Sequence, residues 1–191
     1  MGKGRLEAFS DGVFAVIITI MVLELKVPHG SDMEALGPVI PVFLSYVLSF
    51  VFVGIYWNNH HHMLHAVHRV NGFVMWANLH LLFWLSLVPF ITAWMGENHR
   101  LAMPVALYGM VLLMSGMAYY ILERALIAIQ GEDSALAIAV GKDFKGILSL
   151  VIYTAAVALA FVDPRISIVL YISVAVMWFI PDRRIERAIS E

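Results

Sequence analysis

The sequence predicts an all-α membrane protein with six transmembrane helices per chain, folded as a single domain over residues 1–191. Three observations predict it. First, 61% of the residues are hydrophobic and 14% charged, with a mean hydropathy of +0.84. A soluble domain is nearer half apolar and a quarter charged. Second, six stretches reach or approach the roughly 20 apolar residues that a helical span needs. Third, only short loops separate them, so nothing marks a second domain. Cysteine is absent, which removes disulfides and thiolate chemistry, and a net charge of −2 gives no case for nucleic-acid binding.

The first segment covers residues 6–27. Its start is basic at Lys3 and Arg5, as in a signal peptide, but Asp11 interrupts the apolar run. No small-x-small cleavage pattern follows before Pro28, so an uncleaved helix is expected. With residues about 100° apart, Phe9, Gly12, Val16, Ile20, Leu23 and Val27 share one stripe, with Thr19 at its edge. Ser10 and Asp11 point away from it. A carboxylate in hydrocarbon costs roughly 3 kcal/mol or more. Arg5 is six positions from Asp11, outside helical reach, so the partners of Asp11 are expected on other helices.

The second segment, 39–58, follows a loop bounded by Pro28 and Pro38, and runs into YWNNHHHMLHAVHR. Its histidines at 60, 61, 62, 65 and 68 include pairs spaced to share a helix face. That spacing suits a metal, or an interfacial histidine-rich helix end from which one or two imidazoles pair with Asp11. The third segment, 72–95, carries Asn78, His80, Ser86 and Pro89. Such polar groups serve either as a packing clamp or in function. The fourth, 103–127, has Gly109, Ser115, Gly116 and Ala118 as close-packing positions, and Glu123 and Arg124 as a solvated or snorkelling pair at its end. The fifth covers 144–162. The sixth, 166–180, follows a turn at Asp163-Pro164. Glu24, after the first stripe, reads as an interfacial carboxylate or as one lining a vestibule.

An even number of spans puts both termini on one side. Lys3, Arg5, Arg69, Arg124, Lys142, Lys145, Arg183, Arg184 and Arg187 fall on that side, and Lys26, Arg100 and Arg165 opposite. The excess predicts cytoplasmic termini. No phosphate loop, nucleophile arrangement or cofactor fingerprint is present, so no enzyme and no cofactor are expected.

Arg5-x-x-x-Phe9-Ser10-Asp11 at the head of the first helix resembles the signature of the endolysosomal potassium channel family of transmembrane protein 175 and its bacterial relatives. Trp57-x-x-His60 resembles that family's second-helix pattern, and Asn78 followed by Pro89-Phe90 its third-helix pattern. The resemblance covers the first half of the chain, and the rest through six-helix hydropathy. It implies a cation channel whose pore is lined by the first helix. A single six-helix repeat resembles the bacterial form and implies a homotetramer in a bacterial plasma membrane. By position, the family's constriction falls on Val16, followed by Ile20 and Leu23, and its selectivity threonine on Thr19. Val16 stands where isoleucine is common, which implies a wider neck. Ser10 and Asp11 are expected to bind Trp57, Asn58, His60 and Asn78, with Arg5 at the pore mouth. The implied permeant species are potassium and other monovalent cations, with no resident metal. A carbonyl filter of the TVGYG type is absent from the sequence. Two other classes stay open at this point: a proton-coupled secondary transporter using Asp11 and a histidine, and a membrane metalloenzyme built on the histidine cluster.

Overall fold

The computed structural model describes residues 2–141 and 143–179. Lys142, Ile180, Arg183, Arg184 and Arg187 lie outside the described residues. The elements are α1 (Lys3–Leu23), a 3-10 helix (Met33–Val39), α2 (Ile40–His65), α3 (Gly72–Ser86), α4 (Val88–Glu97), α5 (Ala102–Gln130), α6 (Ala135–Val140), α7 (Phe144–Leu159) and α8 (Pro164–Phe179).

Among the described residues, four helical stretches have the length and apolarity to cross a membrane: α1, the 3-10 helix with α2, α3 with α4, and α5. The apolar helices α7 and α8 have 16 residues each, a rise of roughly 24 Å. Inside hydrocarbon, helices are held together by close packing and interhelical hydrogen bonds, since lipid is as apolar as leucine. The hub of that packing is α5, which touches α3, α4, α7 and α8. Its small residues work as expected. A Cβ on Gly109 would collide with the Tyr171 hydroxyl, and one on Gly116 would lie 2.9 Å from Leu150. Tyr171, so admitted, donates to the Val105 carbonyl at 3.0 Å. By contrast α1 sits at the rim, against α2, α3 and α4.

The helix ends follow local chemistry. Asn71 caps α3 by accepting from Val74 N at 2.9 Å, and Asp143 caps α7 by accepting from Gly146 N at 3.1 Å. Gly131 closes α5 at φ +96°, where a side chain would be strained.

Three expectations are corrected. The third segment is two helices, broken at Leu87, because Pro89 has no N–H for the Leu85 carbonyl and its ring crowds the preceding turn. Leu87 N turns instead to Trp84 O at 3.2 Å. The second helix runs past residue 58 to His65, so His60, His61, His62 and His65 form its last two turns, while His68 lies beyond it. Glu123 is 4% exposed rather than solvated, and none of the described residues hydrogen-bonds its Oε1.

Candidate functional site

The two faces of α1 differ in kind. Leu6, Ser10, Phe14, Ile17 and Met21, spaced three or four apart, are buried against the bundle. The opposite stripe faces out: Val16 is 53% exposed, Ile20 42% and Leu23 79%, with Phe9, Gly12 and Thr19 also exposed. Thr19 Oγ1 donates into its own helix, to Val16 O at 2.9 Å and Ala15 O at 3.1 Å. Its proton is thereby turned inward, and its lone pairs are left facing away from the helix axis. Beside this stripe runs an open groove toward the α3–α4 break, bounded across from Val16 and Ile20 by Ser86, Pro89 and Phe90, with Glu24 at one end.

Behind the stripe the polar residues form two separate clasps. In the first, Trp57 Nε1 of α2 donates to Asp11 Oδ1 at 2.9 Å. In the second, Ser10, Asn78 and His60 link α1, α3 and α2 in a buried chain. Asn78 Nδ2 donates to Ser10 Oγ at 3.0 Å, and Ser10 Oγ donates to Leu6 O at 2.9 Å. Asn78 Oδ1 lies 2.7 Å from His60 Nε2. An amide oxygen only accepts, so His60 carries its proton on Nε2. All three residues are at most 1% exposed, and the His60 ring also packs at 5.5 Å on Phe14. Each buried polar group thus has a partner, as a desolvated site requires.

Asn58, expected in this network, is exposed and takes no part in it. At one residue past Trp57 it is rotated about 100° around α2, away from α1. None of the histidines bonds Asp11 directly; the indole occupies Oδ1. Arg5 is exposed at the start of α1. On α3, His80 accepts from Trp84 Nε1 at 2.9 Å, a bond one turn long within its own helix.

Sequence reasoning missed a second polar junction. Thr92 Oγ1 donates to Ser49 Oγ at 2.7 Å, and Ser49 meets the Tyr108 hydroxyl at 2.9 Å, tying α4, α2 and α5. Buried serines in α2 recur at 45 and 49, one turn apart, which is the signal that could have found it. Among the described residues, no three His, Asp or Glu side chains gather where one metal ion could be held.

Fold and site together define an all-helical integral membrane protein with one weakly covered, outward-facing helix clasped from behind by polar groups. The comparisons with known proteins narrow that class. Residues 5–89 match the family model described as the endosomal/lysosomal potassium channel TMEM175. The chain is 55% identical, over all 191 residues of both proteins, to a potassium channel of Chryseobacterium sp. (strain P1-3). It is 39% identical over 125 residues, 61% of each chain, to a potassium channel of Streptomyces collinus. The crystal structure of a lysosomal potassium-selective channel TMEM175 homolog from Chamaesiphon minutus superposes with a TM-score of 0.77 at 28% identity, covering 94% of this chain and 97% of that one. The chain belongs to the TMEM175 family and is a channel, not an enzyme.

Proposed function

We propose that four copies of this chain surround a potassium-permeable pore in a bacterial plasma membrane, each contributing the exposed stripe of α1. One helix per chain cannot enclose a channel, whereas four related by rotation can. The observation that carries this reading is the asymmetry of α1. Its stripe of Val16, Thr19, Ile20 and Leu23 faces outward, while Ser10 and Asp11 hold its back to α2 and α3. Helix α1 is thus a braced element, not a loosely attached one. The 55% identical Chryseobacterium relative, named a potassium channel, supports potassium as the permeant ion.

Rings of Val16, Ile20 and Leu23 form a hydrophobic constriction. When such a neck is narrow, water leaves it and an ion faces its full hydration penalty; when the helices spread, water returns. Thr19 lies between the first two rings in height along α1. Its hydroxyl proton is committed to the Val16 and Ala15 carbonyls. Four outward oxygens then replace part of a cation's hydration shell. Valine at the first ring makes the neck wider than isoleucine would and favours passage of other monovalent cations as well. Six spans fit the bundle, with α7 and α8 crossing at little tilt, and both termini cytoplasmic.

The proton-coupled carrier is disfavoured by one contact. Asp11 meets an indole, which does not exchange protons in the physiological range, so the direct carboxylate–imidazole relay is not formed. The test is potassium flux in liposomes with Val16, Ile20 and Leu23 replaced singly by alanine. The constriction predicts raised flux for at least one replacement; unchanged flux for all three would show the pore assignment to be wrong.

A further inference from the structure

We propose that His61 and His65 form a surface site for a divalent transition-metal ion of the zinc type, one ion per chain. The two side chains stand one turn apart on a single face of α2, near its C-terminal end. Their rings lie 6.1 Å apart, centre to centre, and nearly parallel at 19°. A pair of histidines at i and i+4 on a helix is the spacing that lets two imidazoles reach one ion. Zinc–nitrogen bonds are about 2.0–2.1 Å, so the two bound nitrogens must come within roughly 4 Å. Histidines at i and i+4 on one helix face meet that requirement by side-chain rotation.

Three features favour this pair as ligands. Both residues are exposed, and no ring nitrogen of either is hydrogen-bonded to a described residue, so lone pairs are available. His60 is instead buried and committed to Asn78, His80 takes the Trp84 indole, and His99 lies against Gly96 O at 3.3 Å. The pair is also preorganised. Trp57 stacks on His61 at 6.1 Å and 29°, and Trp57 is itself held by Asp11. Rotamer freedom that a metal would otherwise have to remove is already reduced. Finally, the charges nearby do not exclude a cation. Lys3 Nζ approaches the backbone oxygen of His65 at 3.2 Å, but Glu7 lies 3.7 Å from the same ammonium. His62 lies 5.7 Å from His61 at 68° and belongs to the neighbouring face. The ion therefore keeps water in its remaining positions. Borderline-soft imidazole ligands select zinc, nickel or copper over magnesium or calcium.

The site is independent of where the pore runs. Its test is titration calorimetry with zinc(II) alone on the purified full-length chain, affinity tag removed, at pH 7.5 and pH 5.5. The expected result is one zinc per chain at pH 7.5, at least tenfold weaker binding for His61→Ala and for His65→Ala, and no change for His68→Ala or His99→Ala. Binding weakens at pH 5.5, because a ligating imidazole must be deprotonated. Trp57→Leu weakens binding without removing a ligand, by up to about tenfold, the low end for loss of a supporting contact. Zinc also slows amide hydrogen exchange over residues 62–66 in the parent chain and not in His61→Ala, since the chelate locks the last turn of α2. No zinc binding by the parent chain overturns the proposal. So does binding that survives the double substitution, or that depends on only one of the two histidines.

Discussion

Replacing Asn78 with leucine tests the buried chain that holds α1 in place. The side chains are similar in volume, so packing is nearly conserved, while two hydrogen bonds are lost: Nδ2 to Ser10 at 3.0 Å and Oδ1 to His60 at 2.7 Å. Interhelical hydrogen bonds inside membranes average about 0.6 kcal/mol and reach about 1.7. Two of them give roughly 1–3 kcal/mol. Ser10 keeps its bond to Leu6 O, but the His60 Nε2–H is orphaned in a fully buried site, which places the cost toward the upper end. Reversible unfolding in mixed micelles, followed by far-UV circular dichroism, reads the change. A double-mutant cycle with His60→Leu isolates the pair. The coupling expected for contacting residues is at least about 0.5 kcal/mol. If Asn78→Leu matches the parent within that margin, or the cycle shows no coupling, the chain is not what braces α1.

Other substitutions probe separate contacts. Trp57→Phe keeps a ring against His61 but deletes the indole donor to Asp11. It should cost about 1.5 kcal/mol, the low end for a bond to a charged group at a half-exposed site, and alter potassium flux in liposomes. Gly109→Ala drives a methyl into Tyr171 and should destabilise by about 1–3 kcal/mol in the same unfolding assay, as overpacking does. Tyr171→Phe in that background should recover part of it. Lys26 and Glu97 pair at 2.7 Å on the surface, and the carboxylate holds the Lys26 ammonium above its usual pKa. A raised folded-state pKa means that any stabilisation is present through neutral pH and lost only as pH rises through the raised value. Because the pair is exposed, Glu97→Gln should leave the thermal midpoint unchanged at pH 7.

Much of the fold was legible because hydrocarbon imposes a simple rule: spans must be long, apolar and helical. The grouping of Val16, Ile20 and Leu23 on one stripe of α1, though not its exposure, was readable from periodicity, since a helix repeats its faces every three or four residues. So was the need for partners to Asp11, since a carboxylate in an apolar helix demands them. Which partner it takes was not readable. Trp57 and Asn58 are adjacent in sequence, but α2 rotates them about 100° apart, and only the packing angle of α2 on α1 decides which one arrives. The break at Leu87 was concealed for a related reason. Hydropathy runs unbroken from Gly72 to Glu97, and Pro89 is tolerated in membrane helices when neighbours compensate. Glu123 next to Arg124 looked like a surface pair, yet the register of α5 turns Glu123 inward.

The most direct measurement uses the absence of native cysteine. Single cysteines at Thr19, on the outward stripe of α1, and at Val169, exposed on α8, are treated with a water-soluble cationic methanethiosulfonate during potassium-flux recordings. A pore lined by α1 predicts block at Thr19→Cys and none at Val169→Cys. Full, persistent flux after labelling at position 19, or no reaction there while the channel conducts, would contradict it.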